Sequence, residues 1–419
     1  MKLFKMDFLI RILICFLAMS FLNANSLDRV AVIVNDGVVL ESEIVQKITD
    51  LERASAINGE KLPPQDELRN RIIEELILEE LQLQVADQVG IKISDEELNI
   101  TIKKLAQQNE LNLEAFIKFV EEQGDSYEQV RENIKRSMKI QRVQQGRIQN
   151  KIQITREELS NFLNTEEAKS QLGPELSVKQ ILIRNDSEND INAVFELAKE
   201  QISNGINPKE VFQNLSEDNN DGDLGYRNIT KFPGLFQEPI NNLEIGEFTN
   251  VIESGAGKHI LYLDDKRGPM VTFEKQWEVR HILLIPNRIR DEIESEKIIV
   301  EIRERINLGE AFEDLAREFS DDPGSKQEGG RLDWAPEGTY APEFERVMKE
   351  SNENELSAPF LSQFGWHILE VTGTRVVDKT NERIEDQAFS YLFNRKFEEE
   401  LETDLQELRA EAFVEIKES

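Results

Sequence analysis

The sequence predicts a multidomain α and α+β protein. A mostly helical domain is assembled from the N-terminal region and a C-terminal helix, with two copies of one small α+β domain between them. Three observations predict this. Amphipathic helical periodicity dominates residues 27–172 and returns after Asn381, two stretches of about 100 residues repeat colinearly, and 419 residues leave apolar material for several cores.

Charge and cysteine content exclude several classes of function. Fifty basic against 82 acidic residues give a net charge of −32, which repels a phosphate backbone and argues against nucleic acid as a partner. Cys15 is the only cysteine and lies in an apolar run, so a chain processed beyond it has no disulfide, no thiolate catalysis and no Cys-based zinc site.

Lys2 and Lys5, the apolar run Ile12 to Leu22 after Arg11, and the small residues Ala24-Asn25-Ser26 read as a signal peptide over residues 1–26. The run has 11 residues where a spanning helix needs ~20. Periplasmic export by a cleaved signal, with no stable membrane insertion afterwards, is the expectation.

Residues 27–172 form the expected helical domain. Val30 to Val34 and Val38 to Leu40 flank Asn35-Asp36-Gly37, a hairpin signal. Behind Pro63-Pro64, Leu68, Ile72, Leu76 and Leu83 recur at helical spacing. Ser94 with Glu97, Ser126 with Gln129 and Thr155 with Glu158 have the spacing of capping boxes. The region has no histidine and no phosphate-binding glycine loop, so its functional reading is a surface for apolar segments. Internal packing of every apolar face is the bland alternative.

From Gly173-Pro174 the chain repeats itself, over 173–268 and 276–376. Val178-Lys179-Gln180-Ile181-Leu182-Ile183 matches Val279-Arg280-His281-Ile282-Leu283-Leu284 at an offset of 101. Leu224 to His259 and Leu332 to His367 both span 35 residues. Two of the three histidines, His281 and His367, frame the second copy, and histidine is the side chain whose ordinary pKa lies nearest neutrality. Residues 377–419 carry a helical stripe, Phe389, Phe393, Phe397, Leu401, Leu405 and Leu408, then a strand-like Phe413-Val414-Glu415-Ile416. An isolated helix of that length leaves its stripe exposed, so docking on the N-terminal domain, with the strand near the Val30 hairpin, is expected.

His-Ile-Leu at 281–283, Phe319-Ser320-Asp321-Asp322-Pro323-Gly324-Ser325, Gly329-Gly330 before Leu332, and Phe364-Gly365-Trp366-His367 resemble the parvulin family of peptidyl-prolyl cis/trans isomerases. With the signal, the helical domain and the tail from Val377-Asp378-Lys379-Thr380 to Asn394-Arg395-Lys396-Phe397, the whole chain resembles the two-parvulin periplasmic chaperones. The resemblance implies clients that are unfolded outer-membrane β-barrel proteins, bound through proline-containing or aromatic-rich segments, with no ATP, cofactor or metal. It also implies a polar catalytic cluster of His281, Asp322, Ser362 and His367 and a proline slot of Leu332, Tyr340 and Phe344. One departure is Arg331-Leu332-Asp333 where the family has Asp-Leu-Gly, and Arg331 with Asp333 offers a charge pair in its place.

The first copy has Gln180, Asp218, Leu224, Phe232, Phe236, Ser254 and His259 at the matching positions. Its loop Asp218-Asn219-Asn220-Asp221-Gly222 is shorter, and peptide binding with little or no catalysis is expected of it. Starting an EF-hand at Glu217 places Asn228 where a bidentate glutamate is required, so no calcium site is expected. In the second copy the histidines are expected to bond to one another and to Ser362, with Asp322 setting a negative potential; nucleophilic attack by Ser362 is the alternative route. Asp322 also reads as a plain loop cap before Pro323, and Tyr340 with Phe344 as ordinary core. Two other functions compete: a holdase with both repeats inert, and a membrane-tethered foldase with an uncleaved signal.

Overall fold

The computed structural model describes residues 28–417 apart from 60, 123–125 and 219, so the signal reading and Asn219 lie outside the described residues. No helix among the described residues is long and apolar enough to cross a membrane.

The chain divides into two compact units, one of residues up to Thr155 with those from Tyr391, the other of Arg156–Ser390. The first opens with a hairpin, β1 (Val30–Val34) and β2 (Gly37–Leu40), turned at Asn35, whose φ of 49° is left-handed. Helices α1 (Glu41–Asn58), α2 (Gln65–Gln88), α3 (Asp95–Gln108), α4 (Leu113–Glu122) and α5 (Tyr127–Ile148) follow. Leu68, Ile72, Leu76 and Leu81 of α2 pack with Val32, Val34 and Val39 of the hairpin in one core, while Leu98, Ile102, Phe116 and Ile134 build a second. Ser94 and Glu97 cap α3 reciprocally. Ser126, of the same sequence pattern, makes no side-chain cap bond.

Helices α6 (Arg156–Leu163) and α7 (Glu166–Leu172) group with the first repeat, where the Asn228 amide donates to the carbonyls of Lys169 and Gly173. That repeat runs β3 (Glu175–Arg184), α8 (Ile191–Ser203), α9 (Pro208–Leu215), β4 (Asp223–Asn228), α10 (Gly234–Asn241), β5 (Ile252–Ser254) and β6 (Gly257–Arg267). The second runs β7 (Phe273–Leu284), α11 (Glu292–Asn307), α12 (Phe312–Phe319), β8 (Arg331–Pro336), α13 (Pro342–Glu350), β9 (Phe360–Ser362) and β10 (Gly365–Asp378).

Each repeat is an antiparallel four-stranded sheet, ordered β4-β3-β6-β5 or β8-β7-β10-β9. Alternation along β10 sends Ile368 to a core with α11 and α12, and Leu369 and Val371 to a core with Phe344 and Met348 of α13. Both faces of the sheet are therefore covered, in keeping with a multidomain α and α+β fold.

Helix α14 (Thr380–Glu411) ends the chain with β11 (Val414–Ile416), which pairs antiparallel with β1, Val32 opposite Ile416. Its fully buried positions are Thr380, Ala388, Leu392 and Asp404, whereas Phe389 of the expected stripe is 46% exposed. Burial follows the neighbours the helix meets, and a hydropathy stripe marks that face only to within a turn.

Candidate active site

In the second repeat the two histidines stand on the central strand pair. His281 is opposite Leu369, and His367, two residues earlier on β10, is opposite Leu283. Antiparallel register places them as diagonal neighbours on one face. The rings stack at 5.8 Å between centroids, 20° apart in plane, and both residues are buried. The expected hydrogen bond between them is absent: each Nδ1 is buried without a hydrogen-bond partner among the described residues. Stacked parallel imidazoles cannot aim a nitrogen at one another in the ring plane.

Each Nε2 is committed. His281 Nε2 lies 2.9 Å from Asp322 Oδ2 and 3.0 Å from Ser325 Oγ, and the Ser325 hydroxyl donates to the same carboxylate oxygen at 2.5 Å. With the serine proton spent on Asp322, both neighbours offer Nε2 only lone pairs, so Nε2 of His281 carries a proton. His367 Nε2 lies 2.7 Å from Ser362 Oγ, which also accepts from the Phe364 N–H at 3.1 Å. When the Ser362 hydroxyl donates to Nε2, neutral His367 carries its proton on Nδ1. The pocket thus holds two buried Nδ1 atoms without a hydrogen-bond partner among the described residues, and in that tautomer the one on His367 is a donor.

Asp322 makes both contacts, Oδ1 accepting from the Gly324 N–H as a loop cap while Oδ2 faces His281 Nε2. The His281 bond, with help from Ser325 and Gly324, holds this carboxyl well below the usual carboxylate range against the opposing effect of burial. Burial, with His281 adding to it, pushes His367 down to about 4, so it is neutral near pH 7. Its folded-state value lies below the ordinary 6.5, so the unfolded chain takes up the extra proton first as pH falls. Stability therefore declines from about pH 6.5 to about 4 and is indifferent to this group above that window, by about 3 kcal/mol in total. Urea unfolding at pH 7 and pH 4.5 should show a smaller acid loss in His367→Asn than in the parent.

Phe344, from α13, meets both histidines edge-on at 5.5 and 5.6 Å, and Phe360 stacks on His367 at 5.2 Å. Tyr340 lies 4.9 Å from Phe344 and is half-buried, as is Leu332, while Phe344 is core. The three slot candidates thus join one apolar wall beside the histidines. Arg331 pairs with Glu278 at 2.5 Å and not with Asp333, a correction that follows from register: Arg331 is opposite Arg280, two residues along from Glu278 on β7.

Gly330 brings the loop against the site. Its φ is +83°, its carbonyl accepts the His281 N–H at 2.8 Å, and an added Cβ would stand 2.3 Å from the His281 carbonyl oxygen. Gly330→Ala should cost about 2–3 kcal/mol in equilibrium unfolding, because the backbone on both sides would have to move.

The first repeat has the same register, with Gln180 opposite Leu261 and His259 opposite Leu182, but a different circuit. Asp218 Oδ2 accepts from Gln180 Nε2 at 2.8 Å, Gln180 Oε1 faces His259 Nδ1 at 3.1 Å, and His259 Nε2 lies 2.6 Å from Ser254 Oγ. A carboxylate accepts only, which orients the amide, so His259 Nδ1 must donate. Every polar atom in this chain is spoken for. Asp218 Oδ1 takes the N–H groups of Asn220 and Gly222, and Phe236 meets His259 at 5.0 Å. Phe232 and Phe236 are buried, with Leu224 packed partly buried against them. Burial lowers His259 below the ordinary imidazole value, Asp218 opposing.

Ser325 and Phe360 complete the second site and were not singled out in the sequence. Ser325 stands three residues after Asp322 within the loop motif, and Phe360 shares a strand face with Ser362; those spacings were the available signals. A Ser362 nucleophile is not supported, because His367 Nδ1 lacks the orienting partner that an activating base requires.

A family model of the SurA N-terminal domain matches residues 27–144, and one of the PPIC-type peptidyl-prolyl isomerase domain matches 176–265 and 281–373. The chain thus carries two PPIC-type isomerase domains. The "Chaperone SurA" of Pseudomonas aeruginosa is 40% identical over 400 residues, covering 93% of this chain and 96% of that one. That of Idiomarina loihiensis is 38% identical over 399 residues, covering 93% and 92%. Among solved structures, the parvulin of Nitrosopumilus maritimus is 32% identical over 24% of this chain and 97% of its own, with a TM-score of 0.20.

Proposed function

The chain belongs to the SurA family of chaperones, and from that premise we propose that it acts in the periplasm, holding unfolded outer-membrane β-barrel proteins without ATP and isomerising their prolyl bonds mainly through the second repeat. The observation that carries the division of labour is the pair of uncommitted buried Nδ1 atoms in the second repeat, against the fully committed chain Asp218–Gln180–His259–Ser254 in the first.

Rotation about an Xaa-Pro bond is opposed by amide resonance, with a barrier of ~18–20 kcal/mol, and no bond need be made or broken. The planar form puts negative charge on the carbonyl oxygen. A site of negative potential there, supplied by ionised Asp322 behind His281, disfavours that form relative to the twisted one. The prolyl nitrogen regains a lone pair as the bond twists, and the Nδ1–H of His367 is a donor available to it. Leu332, Tyr340 and Phe344 grip the ring and exclude water. His281, Asp322, Ser362 and His367 are thereby assigned the catalytic cluster, and Leu332, Tyr340 and Phe344 the substrate slot. Gln180, Asp218, Leu224, Phe232, Phe236, Ser254 and His259 form a peptide-binding counterpart with little turnover.

Client holding is assigned to the helical region with the C-terminal segment, so it separates from isomerisation. In the full chain, His281→Ala/His367→Ala should abolish acceleration of proline-limited refolding while still suppressing aggregation of an unfolded outer-membrane protein. His259→Ala should retain both. Acceleration surviving in the double variant would refute the assignment to the second repeat.

A further inference from the structure

The proline slot has a wall that is itself held from behind. Tyr340 lies on the short loop between β8 and α13, and that loop is tied to α13 at two points. Glu345, only 9% exposed, accepts from the N–H of Gly338 at 2.6 Å and of Tyr340 at 3.1 Å through one carboxylate oxygen. One turn along the helix, Lys349 Nζ meets Glu337 Oε1 at 2.6 Å on the surface.

A buried carboxylate without a cation is costly unless backbone donors compensate it, and none of the ion pairs among the described residues includes Glu345. Its two N–H donors are its hydrogen-bonded compensation, with the Lys349 charge one turn on adding at longer range. They also determine the path of the backbone from Gly338, whose φ is +93°, to Tyr340. The first repeat ties the same loop more lightly: Gln237, at the matching position, donates once to the carbonyl of Phe232, the residue that matches Tyr340.

We infer that Glu345 is a positioning residue for prolyl binding, holding the Gly338–Tyr340 backbone so that the Tyr340 ring stands against Phe344 at the slot. The inference rests on the reading of Leu332, Tyr340 and Phe344 as that slot. Glu345 touches no reacting atom, so its removal loosens the ground-state grip and leaves the polar cluster intact. The signature is therefore a rise in KM at unchanged kcat.

The test is steady-state isomerisation of a tetrapeptide with a single Xaa-Pro bond by the full chain. Glu345→Gln keeps the accepting oxygen and should hold KM within about twofold, whereas Glu345→Ala should raise it roughly tenfold, the loss of a charge-assisted hydrogen bond, with kcat within about twofold. Glu345→Met refills the buried volume without an acceptor, behaves as Glu345→Ala and serves where alanine does not fold. Unchanged KM in Glu345→Met, or a fall in kcat matching the rise in KM, overturns the inference. Tyr340→Ala separates the levels. A raised KM there with normal Glu345→Met removes the inference alone, and an unchanged KM there removes the slot reading beneath it.

Discussion

His281→Ala lowers kcat for prolyl isomerisation about a hundredfold in the full chain and leaves KM within about threefold, the range expected for one preorganised polar group in a dry site. In the proposed assignment His281 links Asp322 to the pocket through Nε2 and turns an unpartnered Nδ1 into it. The slot residues retain their grip on the ring, so the loss falls on kcat. His367→Ala should fall in the same range, and the double variant should be little worse than either single one, since the two rings act as a unit and Phe344 packs against both. Asp322→Asn removes the charge and replaces one of the two accepting oxygens with a donating amide nitrogen, so it also breaks either the Gly324 contact or the His281 and Ser325 contacts, and should reproduce much of the loss. Steady-state kinetics on the same peptide series reads all four. An additive double variant would mean that the histidines contribute separately.

Asp404→Ala destabilises the unit that contains the hairpin and the end of α14 by about 2–3 kcal/mol. Asp404 is 2% exposed and accepts from Arg147 Nε and Nη2 at 2.7 and 2.8 Å, with Lys151 Nζ at 3.3 Å. Removing the carboxylate takes away the shared partner of Arg147 and Lys151, and their partial exposure keeps the cost below that of a fully enclosed pair. Burial alone would raise the Asp404 pKa, but the Arg147 and Lys151 bonds carry it below the ordinary 3.8. Its stabilisation is therefore complete above that value and fades as pH drops below it. Denaturant unfolding at pH 7, followed by proteolysis of the C-terminal segment, checks the first statement. Equal stability of parent and variant at pH 7 would contradict it.

The repeat and its boundaries of pattern were readable because backbone-level constraints leave marks in sequence. Gly330 and Gly222 both bring a loop onto the strand residue they face, and each stands directly before a short strand, β8 or β4. The convergence of His281, Asp322, Ser362 and His367 was readable from the family pattern. Their wiring was not, because it depends on the diagonal register of β7 and β10 and on where a single serine proton goes. The expected bond between the histidines failed for that reason. Arg331 found Glu278 across the strand pair where proximity in sequence suggested Asp333. Phe389 shows the same limit on a helix, where hydropathy alone misjudged the buried face. Glu345 left no mark at all, since a glutamate in the first turn of a helix is ordinary on any surface.

The protein has only three histidines, which makes its imidazole nitrogens individually observable. Long-range proton–nitrogen NMR of the full chain at pH 7 should show His259 protonated on Nδ1, His281 on Nε2 and neutral His367 on Nδ1. That pattern is what a committed first site and a second site with a free donor on His367 require. His281 protonated on Nδ1, or His259 exchanging freely between tautomers, would contradict it.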